Sequence, residues 1–353
     1  MIAAGQPIQR PPNARLLIID ASGRIDHALR SAFVQFLRPG DLVIANDAAT
    51  LPASLCGAHV RTGARIEVRL AGRHSLAADD IRHFFAVVFG SGDFRMRTED
   101  RPPPPALAPG DRLALGSLSA TVEQLLGHAR LVSLCFDGSP DMIWAGLARH
   151  GRPIQYAHIR EPLALWDVWT SLAGAPVAFE PPSAGFALNW QTLRAMRARG
   201  VTFATITHAA GISSTGDADL DQRLPLDEPY RIPLATVLAI RHARARGDRI
   251  VAIGTTVVRA LEHAASGEGQ VRAGEGLATQ RIDATSSLRV VDAILSGVHE
   301  PGTCHYRLLE AFTTGATLDR ANDALVARRY RTHEFGDSVF IERQARESIV
   351  AHV

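Results

Sequence analysis

Three places in the sequence gather residue types capable of chemistry. The first is Gly254-Thr255-Thr256, followed by Arg259 and Glu262. An apolar, β-branched run at 250–253 stops at the glycine and gives way to Val257, Val258, Leu261 and Ala264 at helical spacing, which is the pattern of a strand, a tight turn and a helix. Such a turn directs unpaired backbone N–H groups at one point, where the positive end of the helix dipole favours a carboxylate or phosphate. In this reading Thr255 or Thr256 caps the helix, and Arg259 adds a charge-assisted contact. An ordinary strand-to-helix connection with a threonine cap has the same local pattern. The other two places are histidines: His208 just past the β-forming run 201–207, and His299 between the strand pattern 287–296 and Pro301. An imidazole at a strand end can act as general acid or base because its reference pKa lies near neutrality, and it serves equally as an ordinary hydrogen-bonded residue.

The elements that must position these residues alternate between strand and helix. Residues 15–20 and 41–46 read as strands near the Ser22-Gly23 and Pro39-Gly40 turns, 188–199 and 234–246 as helices ended by Gly200 and Gly247, 304–313 and 318–330 as further helices, and 338–342 as a closing strand. Between about residues 53 and 150 the pattern changes to short strands, at 61–70, 86–89, 111–115 and 129–136, separated by glycine turns and an extended PPPP connector at 102–105. The fold class expected is α/β: a mixed-sheet main domain, discontinuous over residues 1–52 and 151–353, with a small antiparallel β-barrel domain inserted at 53–150. Trp166 and Trp169, three apart in segment 163–172, read as the buried stripe of a helix, with base stacking as their alternative use.

Composition sets outer limits. A chain of 353 residues exceeds one typical compact core, so two domains are the default, and 46% apolar with 21% charged residues is the balance of a folded protein. No apolar run approaches the roughly 20 residues that span a bilayer, and the first residues lack a signal peptide's apolar core, so no membrane partner and a cytoplasmic location are expected. Cys56, Cys135 and Cys304 lack CxxC spacing, and His299, Cys304 and His305 fit no established metal pattern, so neither a disulfide framework nor a metal is expected. All 38 basic residues are arginine, which excludes a lysine Schiff base and a Walker-type phosphate lysine. A net charge of +2 neither requires nor opposes a nucleic-acid partner.

Motifs along nearly the whole chain resemble those of the S-adenosylmethionine:tRNA ribosyltransferase-isomerases of queuosine biosynthesis. They are GTTVVRALE at 254–262, the segment from Asp26 to Leu55 that ends in FLRPGDLVIANDAATLPASL, APGDRLAL at 108–115, PPSAGF at 181–186, VVDAILSGVHEP at 290–301 and EFGDSVFI at 334–341. The resemblance implies S-adenosylmethionine as co-substrate with no metal, and tRNA and a small nucleoside as partners of a monomeric enzyme. It implies transfer and isomerisation of the ribosyl group onto a 7-aminomethyl-7-deazaguanine base, giving epoxyqueuosine. It places the strand-end pair Asn46 and Asp47 beside the cleft, although such a pair also serves plain turn chemistry. It adds Ser183, Ala184 and Gly185 from one loop and Gly211 from another to the Gly254, Thr255, Thr256 and Arg259 site, with His208 and His299 as proton-transfer groups. Of the two histidines His208 is favoured, because Gly211 leaves its loop open whereas Glu300 crowds His299. The sequence departs from the family at several points: PTAGLHF lacks its histidine here, the NDT threonine is Ala48, and the GTF that follows the His208 region is missing. A relative acting on another acceptor, and a catalytically silent nucleoside- or RNA-binding protein, are the alternative readings.

Overall fold

Every residue of the strand Leu42–Asn46 is buried, so it requires apolar cover on both faces, and alternation delivers it. Leu42 and Ile44 join one core cluster and Val43 and Ala45 another on the opposite face. This strand lies in a nine-stranded sheet whose order is Gly274–Ala278, Glu228–Ile232, Thr202–His208, Leu42–Asn46, Ile250–Ile253, Ala293–Gly297, Ser338–Glu342, Arg15–Ile19 and Ile25–Leu29. The four strands from Thr202–His208 to Ala293–Gly297 are mutually parallel. Their C-terminal ends therefore meet at one edge, the place where open α/β sheets build sites. The structure is a computed structural model and describes residues 1–267 and 269–345.

Two helices pack on the sheet around that edge. Leu234–Arg246 ends, as read from the sequence, at Gly247 in the left-handed region with φ 73°. Thr255–Ala264 is buried on almost every side, and its Glu262 accepts hydrogen bonds from the backbone N–H groups of Arg289, Val290 and Val291 at 2.7, 2.9 and 2.9 Å. The glutamate of the GTTVVRALE motif thus pins the segment that feeds the next strand.

The sheet is accompanied by a closed six-stranded antiparallel barrel, running from strand Ser54–His59 to strand Leu131–Phe136. The chain leaves it through helix Pro140–His150, and Arg152 then pairs with Ser54, exchanging backbone hydrogen bonds of 2.8 and 2.9 Å. The barrel core also takes in Phe179, Ile212, Leu220 and Leu224, which lie after the barrel strands in sequence.

Several expected elements differ from what the structure holds. Helix is confined to Leu165–Val168 in segment 163–172, and Trp166 and Trp169 are 76% and 40% exposed rather than a core stripe. The carbonyls of Asp167 and Trp169 accept instead from Gln9 Nε2 at 2.9 and 2.8 Å, which withdraws them from any continuing helix. The strand expected at 287–296 is Ala293–Gly297, because Glu262 holds the preceding backbone in an irregular path. The helix expected at 304–313 stops at Leu309.

Candidate active site

The loops that follow Thr202–His208, Ile250–Ile253 and Ala293–Gly297 line, together with residues 180–184 and 332–334, a cleft of about 480 Å³. That volume falls within the roughly 300–1,000 Å³ of small-molecule sites. One end is the start of helix Thr255–Ala264. Gly254 there has φ 95°, a conformation that glycine alone adopts without strain, and its N–H donates to the Leu295 carbonyl at 2.8 Å. The first helical N–H groups have no partner within the helix by position, and Thr255 and Thr256 line the cleft. Neither threonine side chain caps the helix, contrary to the expectation; the N-cap is Gly254. Thr255 Oγ1 pairs instead with His305 Nδ1 at 3.0 Å, and Thr256 Oγ1 accepts from Asn46 Nδ2 at 3.4 Å.

Arg259 is part of the wall rather than a free arm. It forms a buried ion pair with Glu228, and its Nη2 donates to the carbonyls of Ala278, Leu226 and Gln280 at 3.0, 3.3 and 3.3 Å. Its Nε–H alone is without a partner.

The structure separates the two histidines singled out in the sequence. His208 is the last residue of its strand, fully buried, and absent from the cleft lining. Asn46 clamps it, accepting from its N–H at 2.9 Å and donating to its carbonyl at 2.9 Å. Its imidazole stands behind Glu228, with Nε2 at 3.4 Å from Glu228 Oε2 and neither ring nitrogen hydrogen-bonded. Burial, then the Arg259 charge, holds its pKa well below the usual value, so the ring is neutral. In the loop beyond it, Gly211 donates its N–H to Glu228 Oε1 at 2.5 Å, and a Cβ there would stand 2.9 Å from the Ala71 carbonyl.

His299, by contrast, faces the cleft. Its Nε2 lies 3.0 Å from Ser296 Oγ and its ring stacks on His305 at 4.8 Å between centroids. Burial, then the neighbouring His305 and His333, depress its pKa far below the usual value; burial and Arg259 bring His305 down to about 4. Both are neutral bases at neutral pH. Burial raises the Cys304 thiol to about 11, so it is no nucleophile.

Of the remaining residues singled out in the sequence, Ser183, Ala184, Gly211 and Gly254 line the cleft, whereas Asn46, Asp47 and Gly185 do not. Asp47 is occupied in accepting from Thr207 Oγ1 at 2.7 Å, which is the turn chemistry of a strand end. Gly185 is buried against Thr170.

The opposite wall was not read from the sequence. Glu180 lies there with Tyr156, whose hydroxyl donates to it and also approaches the Ser214 carbonyl at 3.2 Å. Glu334 lines the same wall, with its Oε2 3.4 Å from His158 Nε2, and the His158 ring stacks on His333 at 4.2 Å. Burial and then the nearby Glu334 charge raise Glu180 to about 7. Burial also works against ionised Glu334, but the neighbouring His158 and His333 outweigh it and hold Glu334 below the ordinary carboxylate value. These residues come from four distant segments and carry no short motif, so spacing alone offers no signal for them.

Among the described residues, two groups approach closely enough to share a cation: His83, Glu123 and Cys135 on the barrel, and His158, His333 and Glu334 here. In the second the rings lie 17° from parallel, so their in-plane nitrogen lone pairs run side by side rather than toward a common point. His299 and His305 each engage one ring nitrogen, with Ser296 Oγ and Thr255 Oγ1 respectively.

A mixed α/β protein carrying a closed barrel, with a polar cleft of neutral histidines, carboxyls and a helix N-terminus at its parallel strand ends, is the class these features define. The model of the queuosine biosynthesis protein family matches residues 1–341, and the chain belongs to that family. It is 33% identical over 350 residues to the S-adenosylmethionine:tRNA ribosyltransferase-isomerase of Citrifermentans bemidjiense, covering 96% of both chains. It is also 33% identical over 368 residues to the protein of that name from Sorangium cellulosum, covering 96% of this chain and 95% of the relative. The crystal structure of S-adenosylmethionine tRNA ribosyltransferase from Thermotoga maritima shares the fold, with a TM-score of 0.51 at 24% identity over 96% of each chain.

Proposed function

We propose that this chain is a transferase that moves and isomerises the ribosyl group of S-adenosylmethionine onto a 7-aminomethyl-7-deazaguanine base in tRNA, releasing adenine and methionine. The relatives of that name span 96% of the chain, and the observation in the cleft that carries the reading is the helix N-terminus at Thr255 and Thr256 in one cavity with a neutral His299. The methionine carboxylate sits at the N-terminal N–H groups of helix Thr255–Ala264, helped by the Thr256 hydroxyl and the unspent Arg259 Nε–H. His299 is the base that takes the proton beside the sulfonium, and Ser296 orients its ring. His208, behind Glu228, supports the wall and touches no substrate. S-adenosylmethionine is a co-substrate in this scheme, and no step calls on a metal.

A tRNA substrate implies a cytoplasmic enzyme, and no helix among the described residues is long and apolar enough to cross a membrane. Mass spectrometry of products from the protein incubated with S-adenosylmethionine and tRNA bearing the deazaguanine precursor tests the assignment. Adenine release that depends on that tRNA is expected. Adenine release without it assigns another acceptor, and saturable binding without turnover assigns a silent binding protein.

A further inference from the structure

The Glu180 wall is absorbed by none of the steps above, and its arrangement is that of a proton donor. Glu180 lines the cleft yet is only 8% exposed. Tyr156 and Ser213 hydrogen-bond to its carboxyl, and the charge of Glu334, whose Oε2 lies 3.4 Å from His158 Nε2 in the same cleft, acts on it. Arg69 of the barrel reaches over the Tyr156 ring, 5.6 Å from its centroid, but is itself paired with Glu67. Two carboxyls in a shared low-dielectric wall do not both ionise readily; when neighbouring imidazoles favour the anion at one, the other keeps its proton.

We propose that the Glu180 carboxyl is a general acid of this cleft, giving its proton to a ring nitrogen of the departing adenine. The inference rests on the ribosyl-transfer reading above. In the step, the bond from the ribosyl carbon to adenine breaks with its electron pair remaining on the purine, and the Glu180 O–H proton moves to the purine nitrogen. His299 takes the proton beside the sulfonium, and the electron pair of that C–H bond replaces, through the sugar, the pair lost with adenine. Glu180 is left as a carboxylate and recovers a proton from the ammonium formed when the acceptor amine is alkylated; the carbon–sulfur bond breaks with its electron pair left on the methionine sulfur, neutralising the sulfonium, and His299 passes its proton to solvent.

An acid of this kind works while protonated, so turnover declines as pH rises through about 7, the value to which burial and Glu334 raise Glu180. The test is the pH profile of adenine release with precursor tRNA for the parent, Glu180→Gln and Tyr156→Phe, together with S-inosylmethionine, whose hypoxanthine leaves more readily without protonation. Glu180→Gln is expected to bind S-adenosylmethionine within about twofold of the parent while losing the roughly 100- to 10,000-fold of a positioned acid. It should also lack the alkaline decline, and its deficit should shrink at least about tenfold with the inosyl substrate. Tyr156→Phe removes a hydrogen bond that favours the charged form of Glu180, so its alkaline decline should move to higher pH. Parental turnover in Glu180→Gln, an equal deficit with both leaving groups, or an unmoved decline in Tyr156→Phe overturns the proposal alone. A parent that releases no adenine overturns the reading it rests on as well.

Discussion

The ionisation of Glu180 has a thermodynamic consequence that is independent of any substrate. Its pKa rises from 4.5 to about 7 on folding, so between those values the folded protein holds a proton that the unfolded chain has released. The sign follows directly: the stabilisation is complete below the unfolded value and is lost as pH rises through about 7. The interval from 4.5 to about 7, at about 1.4 kcal/mol per pH unit, corresponds to about 3 kcal/mol. His305 pulls the other way, because its pKa falls from 6.5 to about 4 and its contribution is lost as pH drops through that range. The parent's own pH curve therefore mixes opposing terms, and a comparison with Glu180→Gln isolates one of them. Gln keeps the acceptor for Tyr156 and cannot ionise. Urea unfolding of both proteins at about pH 5 and about pH 8.5 should show the variant gaining about 3 kcal/mol on the parent between the two conditions, with His305 cancelling in the difference. A difference constant to about 0.5 kcal/mol would mean that Glu180 ionises normally in the folded protein, and the account of the wall would be refuted.

Thr256→Val should weaken S-adenosylmethionine binding by about 1–2 kcal/mol in calorimetry, the range for a lost buried hydrogen bond; unchanged affinity would remove the hydroxyl from the carboxylate site. Arg259→Met strands Glu228 without its ion-pair partner and should cost about 3–5 kcal/mol of stability, most of it recovered in the double variant with Glu228→Gln, as read by denaturant unfolding. His299→Gln should reduce turnover by about 100- to 10,000-fold with little change in melting temperature, whereas His208→Gln should lose activity only in step with stability. Replacing residues 53–150 by a short Gly-Ser bridge should leave a main domain that still unfolds cooperatively, since Ser54 and Arg152 are adjacent, but at a lower temperature because Phe179, Ile212, Leu220 and Leu224 lose their cover. A deletion variant without a cooperative melting transition would make the barrel and the sheet one folding unit.

How far the sequence discloses this molecule depends on whether the deciding interaction is local. The Gly254 turn and the helix after it are legible because one glycine and a 3.6-residue apolar period decide them, and helix Leu234–Arg246 is legible for the same reason. The short strands of the barrel announce themselves by turns. What fails is decided from far away: Gln9 ends the short helix after Val168 by taking carbonyls more than 150 positions distant, and Glu262 displaces the strand expected at 287. The histidines show the same divide within the cleft. Both sit at strand ends, but which one faces the cleft is fixed by Asn46 and Glu228, from strands that flank His208 on either side, and neither lies near it in sequence.

That divide also explains why the Glu180 wall stayed hidden in a chain whose anion site was plain. A helix N-terminus concentrates its chemistry in three consecutive residues, whereas the Glu180 wall draws on residues 156, 158, 180 and 334 and becomes chemical only through mutual distance. The departures from the family motifs fall on both sides of the same cleft: the loop lacking the PTAGLHF histidine begins at Pro182, two residues beyond Glu180, and the altered GTF segment brings in Ser213 and Ser214 beside Tyr156. The altered loops therefore bracket a titratable group rather than an empty wall. If proton transfer has moved to that group, restoring the family histidine at Ala187 should leave the alkaline decline of turnover dependent on Glu180, and a decline that instead follows the new imidazole would return the role to the motif.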